Sequence, residues 1–199
     1  MKNTHALSLI LIFITLASCS ILQGEAEPVF RGAVYGSPAP PPNFALPGTD
    51  GQLFELDKQT GRVILLFFGY TNCPDVCPQT LGTVRSALAD LSEDERRAVR
   101  FVFISVDPQR DSLDSLGGYL EPFQADFLGI VPDPATLETL LTDYGVFVER
   151  QPADASGFYP ITHSGVVFVI DKAGLLRLGF FNETSADDML HDVRILLEE

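Results

Sequence analysis

The feature that most restricts this chain is the uncharged run Val63-Ile64-Leu65-Leu66-Phe67-Phe68-Gly69-Tyr70, which leads through Thr71-Asn72 into Cys73-Pro74-Asp75-Val76-Cys77-Pro78. A short unbroken stretch of aliphatic and aromatic side chains has no polar face to offer water. It therefore reads as a β-strand covered on both sides, at the centre of a sheet. Pro78 suits the first turn of a helix, where its missing N–H costs no hydrogen bond, and that helix is expected to reach about residue 91. The two cysteines thus fall at a strand-to-helix junction.

The rest of the chain alternates in the same way. Residues 100–106 read as a second buried strand, 113–123 as a helix, 127–131 as a short strand and 135–144 as another helix. Strands at 166–170 and 175–181 flank the turn Asp171-Lys172-Ala173-Gly174, and 186–197 form a closing amphipathic helix. Upstream, Phe44-Ala45-Leu46 and Leu53-Phe54-Glu55-Leu56 flank Asp50-Gly51, the pattern of an N-terminal β-hairpin. The expected class is α/β, a central mixed sheet with flanking helices. In such sheets ligand sites gather beyond the carboxyl ends of the central strands, where the cysteine pair lies.

Before residue 44 the character changes. Residues 23–43 are rich in Pro, Gly and Ala and end in Pro38-Ala39-Pro40-Pro41-Pro42, which favours an extended, semi-rigid spacer. Residues 1–18 read as a targeting segment, with Lys2 as its positive start and an apolar stretch at 6–17 broken by Ser8 and Thr15. Its close, Leu16-Ala17-Ser18-Cys19, resembles a bacterial lipoprotein signal, which implies cleavage before Cys19 and acylation of that sulfur. An uncleaved anchor is the other reading, since no charge interrupts residues 3–24 and roughly 20 apolar residues span a bilayer. The expected organisation is a signal at 1–18, a lipid-anchored spacer at 19–43 and one folded domain at 44–199. Either reading exports that domain and tethers it on the periplasmic or extracellular side of a membrane.

Thirteen Lys and Arg against 27 Asp and Glu give a formal charge of -14. That charge repels polyanions, so no nucleic-acid partner is expected. With Cys19 assigned to lipid, Cys73 and Cys77 are the only cysteines of the folded part, and its histidines are His163 and His191.

If the segment is helical throughout, side chains four positions apart share a face, with β-carbons about 5–6 Å apart, suited to a metal or a disulfide. A helix N-terminus favours the thiolate that either chemistry needs. A plain structural disulfide is the weaker reading, because bridging residues four apart closes a very short loop and stabilises least. His163, in Thr162-His163-Ser164, precedes the strand at 166–170. A lone histidine there is ordinarily a surface or hydrogen-bonded residue. In a thioredoxin-like arrangement, however, that loop faces the cysteine loop and makes His163 a candidate third ligand. Two thiolates and one imidazole suit Cu(I) or, with distortion, Cu(II), whereas zinc prefers a fourth ligand.

The segment Phe68-Gly69-Tyr70-Thr71-Asn72-Cys73-Pro74-Asp75-Val76-Cys77-Pro78 resembles the signature of the Sco (SenC) family of copper proteins. Phe103-Ile104-Ser105-Val106-Asp107-Pro108-Gln109-Arg110-Asp111 resembles its second block, and Thr162-His163-Ser164 its histidine segment, so the likeness spans about residues 44–181. The resemblance implies a thioredoxin-like fold, copper held by Cys73, Cys77 and His163, and a part in assembling the dinuclear copper site of cytochrome c oxidase. The implied partner is the copper-bearing oxidase subunit or another copper or thiol acceptor. Asp107 matches a family acid near the metal site, while by itself it reads equally as a loop or helix-capping aspartate. Three departures stand out: Ser112-Leu113 in place of a frequent Thr-Pro, Leu128-Gly129-Ile130 in place of Leu-Thr-Gly, and Thr162 in place of Asp. None removes a ligand. His191 reads as an exposed-face histidine of the last helix.

The leading functional expectation is a copper metallochaperone. The alternative is a thiol-disulfide oxidoreductase in which Cys73 and Cys77 are catalytic, one attacking and the other resolving. Dedicated exchangers usually place two residues between their cysteines and this chain places three, which leans toward metal. A peroxidase would need a lone reactive cysteine, and here the cysteines are paired.

Overall fold

In a computed structural model the protein is described over residues 29–199. The expected signal segment and Cys19 lie outside these residues. The apolar run forms β4 (Val63–Gly69), every residue of which is buried. It lies inside a six-stranded sheet of order β1-β10-β9-β4-β5-β6, built with β5 (Val99–Ser105), β6 (Leu128–Ile130), β9 (Val167–Ile170), β10 (Leu176–Phe180) and β1 (Ala33–Ala39). β4 runs parallel to β5 and antiparallel to β9, and β5 runs parallel to β6, so the sheet is mixed as expected. The fold class is thioredoxin-like α/β, and the hairpin of β2 (Ala45–Pro47) and β3 (Leu53–Glu55) stands before it.

Both faces of β4 are used. Phe68 packs edge-on to Phe168 and tilted against Tyr144 of helix α4 (Pro134–Tyr144). Phe67, pointing the other way, meets Phe103, which in turn meets Tyr119 of α3 (Leu113–Leu120). Helix α1 (Val76–Ala89) follows β4 and packs on the closing helix α5 (Ala186–Glu198), while the short α2 (Glu93–Arg97) leads into β5. Helix starts are set by local chemistry. Ser112 and Ser115 form a reciprocal capping box at α3, so the departure from Thr-Pro still supplies a cap. Asp133 caps α4 with Pro134 in its first turn, and Gly145 ends that helix in the left-handed region at φ 63°.

Two expectations need correction. The stretch read as a spacer is, from Ala33 to Ala39, the edge strand β1, paired antiparallel to β10. Its seven residues are all exposed, and Pro38 is tolerated because an edge strand leaves one row of N–H groups unpaired. Composition therefore signalled a linker where edge pairing makes a strand. The segment around His163 is likewise ordered as β8 (Ile161–His163), paired with β7 (Val148–Arg150), with Val148 opposite His163.

The entry to β1 is fastened by Asp192 of α5, whose carboxylate is fully buried. It accepts the backbone N–H groups of Arg31 and Gly32 at 2.7–3.0 Å and lies 2.9 Å from His191 Nδ1. Replacing Asp192 by Ala removes the acceptor shared by these two N–H groups and is expected to lower stability by about 1–3 kcal/mol. A fall in the urea midpoint at constant slope would show this, and an unchanged midpoint would contradict it.

Candidate metal centre

The centre is assembled where β4 ends. Val106 N–H donates to Gly69 O at 2.7 Å, extending the pairing of β4 with β5 past their last strand residues. The chain then turns under Asp111, a buried carboxylate that accepts Thr71 N–H at 3.2 Å, Thr71 Oγ1 at 2.5 Å and Ser105 Oγ at 2.6 Å. These bonds fix the loop immediately before Cys73. Tyr70, also buried, reaches across with its hydroxyl to accept Ile161 N–H at 3.1 Å. That bond ties β8, and with it His163, to the cysteine loop.

Only Cys77 is inside α1; Cys73 lies in the loop ahead of it, so the two do not share a helix face. The Cys73 sulfur instead accepts Cys77 N–H at 3.4 Å, meeting the helix at its positive end. Both thiols are free, Cys77 buried and Cys73 partly exposed. Cys77 Sγ stands 3.5 Å from His163 Nε2. The donor atoms of Cys73, Cys77 and His163 all lie within 4.8 Å of one another. Metal–sulfur and metal–nitrogen bonds of about 2.0–2.3 Å make this a separation that one ion bridges. His163 Nδ1 is 3.1 Å from Ser164 O, and because a carbonyl only accepts, Nδ1 carries the proton and Nε2 turns its lone pair to the sulfurs. The ring is held edge-on by Phe67 and Tyr70, at centroid distances of 6.0 and 5.8 Å.

The two thiols are electrostatically unequal. The Cys77 thiol, hydrogen-bonded to Cys73, holds the Cys73 pKa down at about 3, helped by the backbone N–H groups of Asp75 and Cys77 against the cost of burial. Burial pushes Cys77 strongly upward, and the neighbouring Cys73 adds to this. The pair therefore gives up its first proton easily from the exposed sulfur and keeps the second until something replaces it. A bound cation is such a replacement.

Comparison with known proteins places this geometry. The SCO1/SenC family model matches residues 36–198. The chain belongs to the SCO1/SenC family. It is 35% identical over 137 residues to a putative copper-binding protein of Stutzerimonas stutzeri, covering 68% of this chain and 66% of that protein. It is 30% identical over 148 residues to a SCO2-like protein of Rickettsia prowazekii, covering 74% and 72%. Among solved structures, apo Sco1 of Thermus thermophilus superposes with a TM-score of 0.76 at 33% identity, over 86% of this chain and 99% of that one. ScoI of Bradyrhizobium japonicum with copper bound gives 0.72 at 30% identity, over 80% and 100%.

Within this Sco fold the remaining singled-out residues separate clearly. Asp107 is buried but is not one of the three converging donors. Its carboxylate pairs with Arg110 and accepts Tyr159 Oη at 3.1 Å. Arg110 in turn lies 5.6 Å from the Tyr70 ring centre, so Asp107 stands behind the residues that orient His163. The helix cap belongs to Ser112, which removes the capping role for Asp107. His191 sits on α5 beside Asp192, part-buried rather than exposed. Sequence reading overlooked Tyr70, Gly69 and Asp111 as builders of the centre. Gly69 is visible only in three dimensions: a β-carbon there would come within 2.6 Å of Phe103 Cζ and 2.8 Å of Cys77 Sγ.

Gly69→Ala must displace Cys77 or Phe103, and overpacking of this kind costs about 1–3 kcal/mol. The variant should unfold at lower urea and bind metal more weakly than the parent, whereas unchanged affinity and stability would contradict the tight seat described for Cys77. The thiol asymmetry is testable by pH. Since the Cys73 thiolate persists far below the usual range, its alkylation rate should change by less than about twofold from pH 8 to pH 5, where an ordinary thiol slows about tenfold per unit. An ordinary decline, read by mass spectrometry of the labelled peptide, would refute the assignment.

Proposed function

We propose that this Sco protein is a copper metallochaperone that carries one copper ion on Cys73, Cys77 and His163 and assists assembly of the dinuclear copper site of cytochrome c oxidase. The observation that carries the reading is the convergence of two sulfurs and one imidazole nitrogen within 4.8 Å. Two soft thiolates with one imidazole match copper better than the hard oxygen-seeking cations. Among the described residues no fourth donor joins the group, which disfavours a closed tetrahedral zinc site. The copper-bound relative at 30% identity supports the choice of ion, and membership of the family supports the choice of acceptor.

The chain's own residues supply what delivery requires. Cys73 is partly exposed, so an incoming ligand can reach the ion from that side while Cys77 and His163 still hold it from within. Protons lost by the thiols on loading return to them on release, which couples delivery to pH. The same reading extends to the segment before residue 29. Export with acylation of Cys19 would hold the carrier at the membrane face where an oxidase acceptor lies. No helix among the described residues is long and apolar enough to cross a membrane.

A second reading rests on the inequality of the thiols. A partly exposed thiolate at Cys73 beside a protonated, buried Cys77 is the arrangement of an attacking and a resolving cysteine. Cys73 would attack an acceptor disulfide, Cys77 would release the acceptor, and two electrons would pass from the pair to the acceptor's sulfurs. His163 has no required part in that exchange, which separates the two functions.

Anaerobic Cu(I) competition of the reduced protein against a chromophoric chelator should give one tightly held copper per chain. Cys73→Ser, Cys77→Ser and His163→Ala should each weaken it by more than about 10–100-fold, the range seen when mere supporting groups of a metal site are lost. Affinity indifferent to His163 would favour thiol exchange instead.

A further inference from the structure

Exposed phenylalanines are informative because a folded chain has every reason to bury them. Among the described residues three are exposed: Phe147 at 56%, Phe158 at 40% and Phe181 at 49%. All three stand at the sheet end that carries the metal centre. Phe147 is bonded twice to Ser164, the neighbour of His163, its N–H donating to the Ser164 Oγ and its carbonyl accepting the Ser164 N–H. Phe158 lies 5.7 Å from the Arg110 guanidinium, which also contacts Tyr70. Phe181 follows Phe180, the register partner of Val167, itself paired with Phe67.

On its Phe147 side, between α4 and β7, this apolar rim borders a cavity of about 450 Å³ lined by Leu137, Leu141 and Val146 together with Glu138, Phe147 and Arg150. Arg150 is the cation of the rim. Its guanidinium lies 4.2 Å from the Tyr159 ring centre, with Arg110 3.6 Å from the same centre, and it donates to Gln109 Oε1 at 2.8 Å. It also forms a long ion pair with the buried Asp107 carboxylate at 3.7 Å, and its side chain keeps 46% of its surface open. The head group is therefore held in place before any partner arrives, so little rotamer freedom remains to be lost. In a chain of net charge -14 a carboxylate is repelled over most of the surface, and Arg150 supplies a local positive charge beside the groove.

We propose that the Phe147–Arg150 rim with its groove is the docking surface for the copper or thiol acceptor, and that the acceptor face presents an apolar side chain for the groove beside a carboxylate for Arg150. The proposal rests on the delivery reading, since only a partner that must touch Cys73 and His163 needs recognition elements ringed around them. Aromatic anchors and a preset arginine are the residue types that dominate such contacts. The rim charge sets encounter and orientation, and the groove sets residence.

The test uses the reduced, copper-free protein and the purified copper-bearing soluble domain of a cytochrome c oxidase subunit, with binding measured by calorimetry at several NaCl concentrations. Arg150→Glu and Phe147→Ser should each weaken binding by at least about tenfold. Arg150→Glu should also flatten the salt dependence, and both should keep the parent's Cu(I) affinity and circular dichroism. Leu53→Ser, an equally exposed apolar change on the hairpin, should bind as the parent does. Parent-like binding by both rim variants, or an equal loss in Leu53→Ser, would overturn the proposal. So would self-association of the parent that both rim variants abolish while acceptor binding persists, because the rim would then be a contact between copies. Copper affinity is read separately: a parent that binds the domain through the rim but holds no copper contradicts the delivery reading and leaves the surface standing.

Discussion

The packing at the carboxyl end of β4 governs the rest of the molecule's chemistry. Because the strand is buried on both faces, its last residues cannot shift without disturbing the sheet, and they hand the chain to the cysteine loop in one fixed direction. Gly69 leaves room for the Cys77 sulfur, Tyr70 holds β8 through Ile161, and Asp111 gathers Thr71 and Ser105 beneath the turn. Three donors from two distant stretches of chain meet because these short contacts, rather than the donors themselves, set their positions. The cost of gathering them is met in folding, which leaves the ligand set preformed.

Preorganisation of this kind explains how one pair of cysteines suits two chemistries. A thiolate at Cys73, stabilised by hydrogen bonds and by the helix end, attracts a soft cation and is equally a nucleophile. Cys77, raised by burial, resists ionising until a cation or a bond to sulfur compensates it. His163 breaks the symmetry between these uses. Its Nδ1 is committed to Ser164 O, so Nε2 is left as an acceptor facing the sulfurs, which suits coordination and adds nothing that exchange needs.

Much of this was legible in the sequence, for physical reasons. A fully buried strand must be apolar throughout, a helix start tolerates proline, and two cysteines at their junction stand out in a chain with few others. The order β4, α1, β5, α3, β6, α4, β9, β10, α5 follows from periodicity together with proline and turn signals. The edge strand β1 did not, because its exposed, Pro- and Gly-containing residues carry no alternation and its order comes from pairing with β10 and from the buried carboxylate of Asp192. The β7–β8 ladder is too short for a periodic signal. The placement of Cys73 outside the helix, and the roles of Gly69, Tyr70 and Asp111, depend on distances between segments far apart in the chain. Spacing within one segment carries no information about them.

Delivery as proposed depends on two sulfurs and one imidazole of this chain holding a single copper ion. X-ray absorption at the copper edge of the Cu(I)-loaded protein tests it most directly, with the His163→Ala variant measured beside the parent. The parent should show a first shell of two sulfur scatterers and one nitrogen, and the imidazole outer-shell pattern should be absent from the variant. A shell of sulfur alone in the parent, or an imidazole signal that survives in the variant, would contradict it.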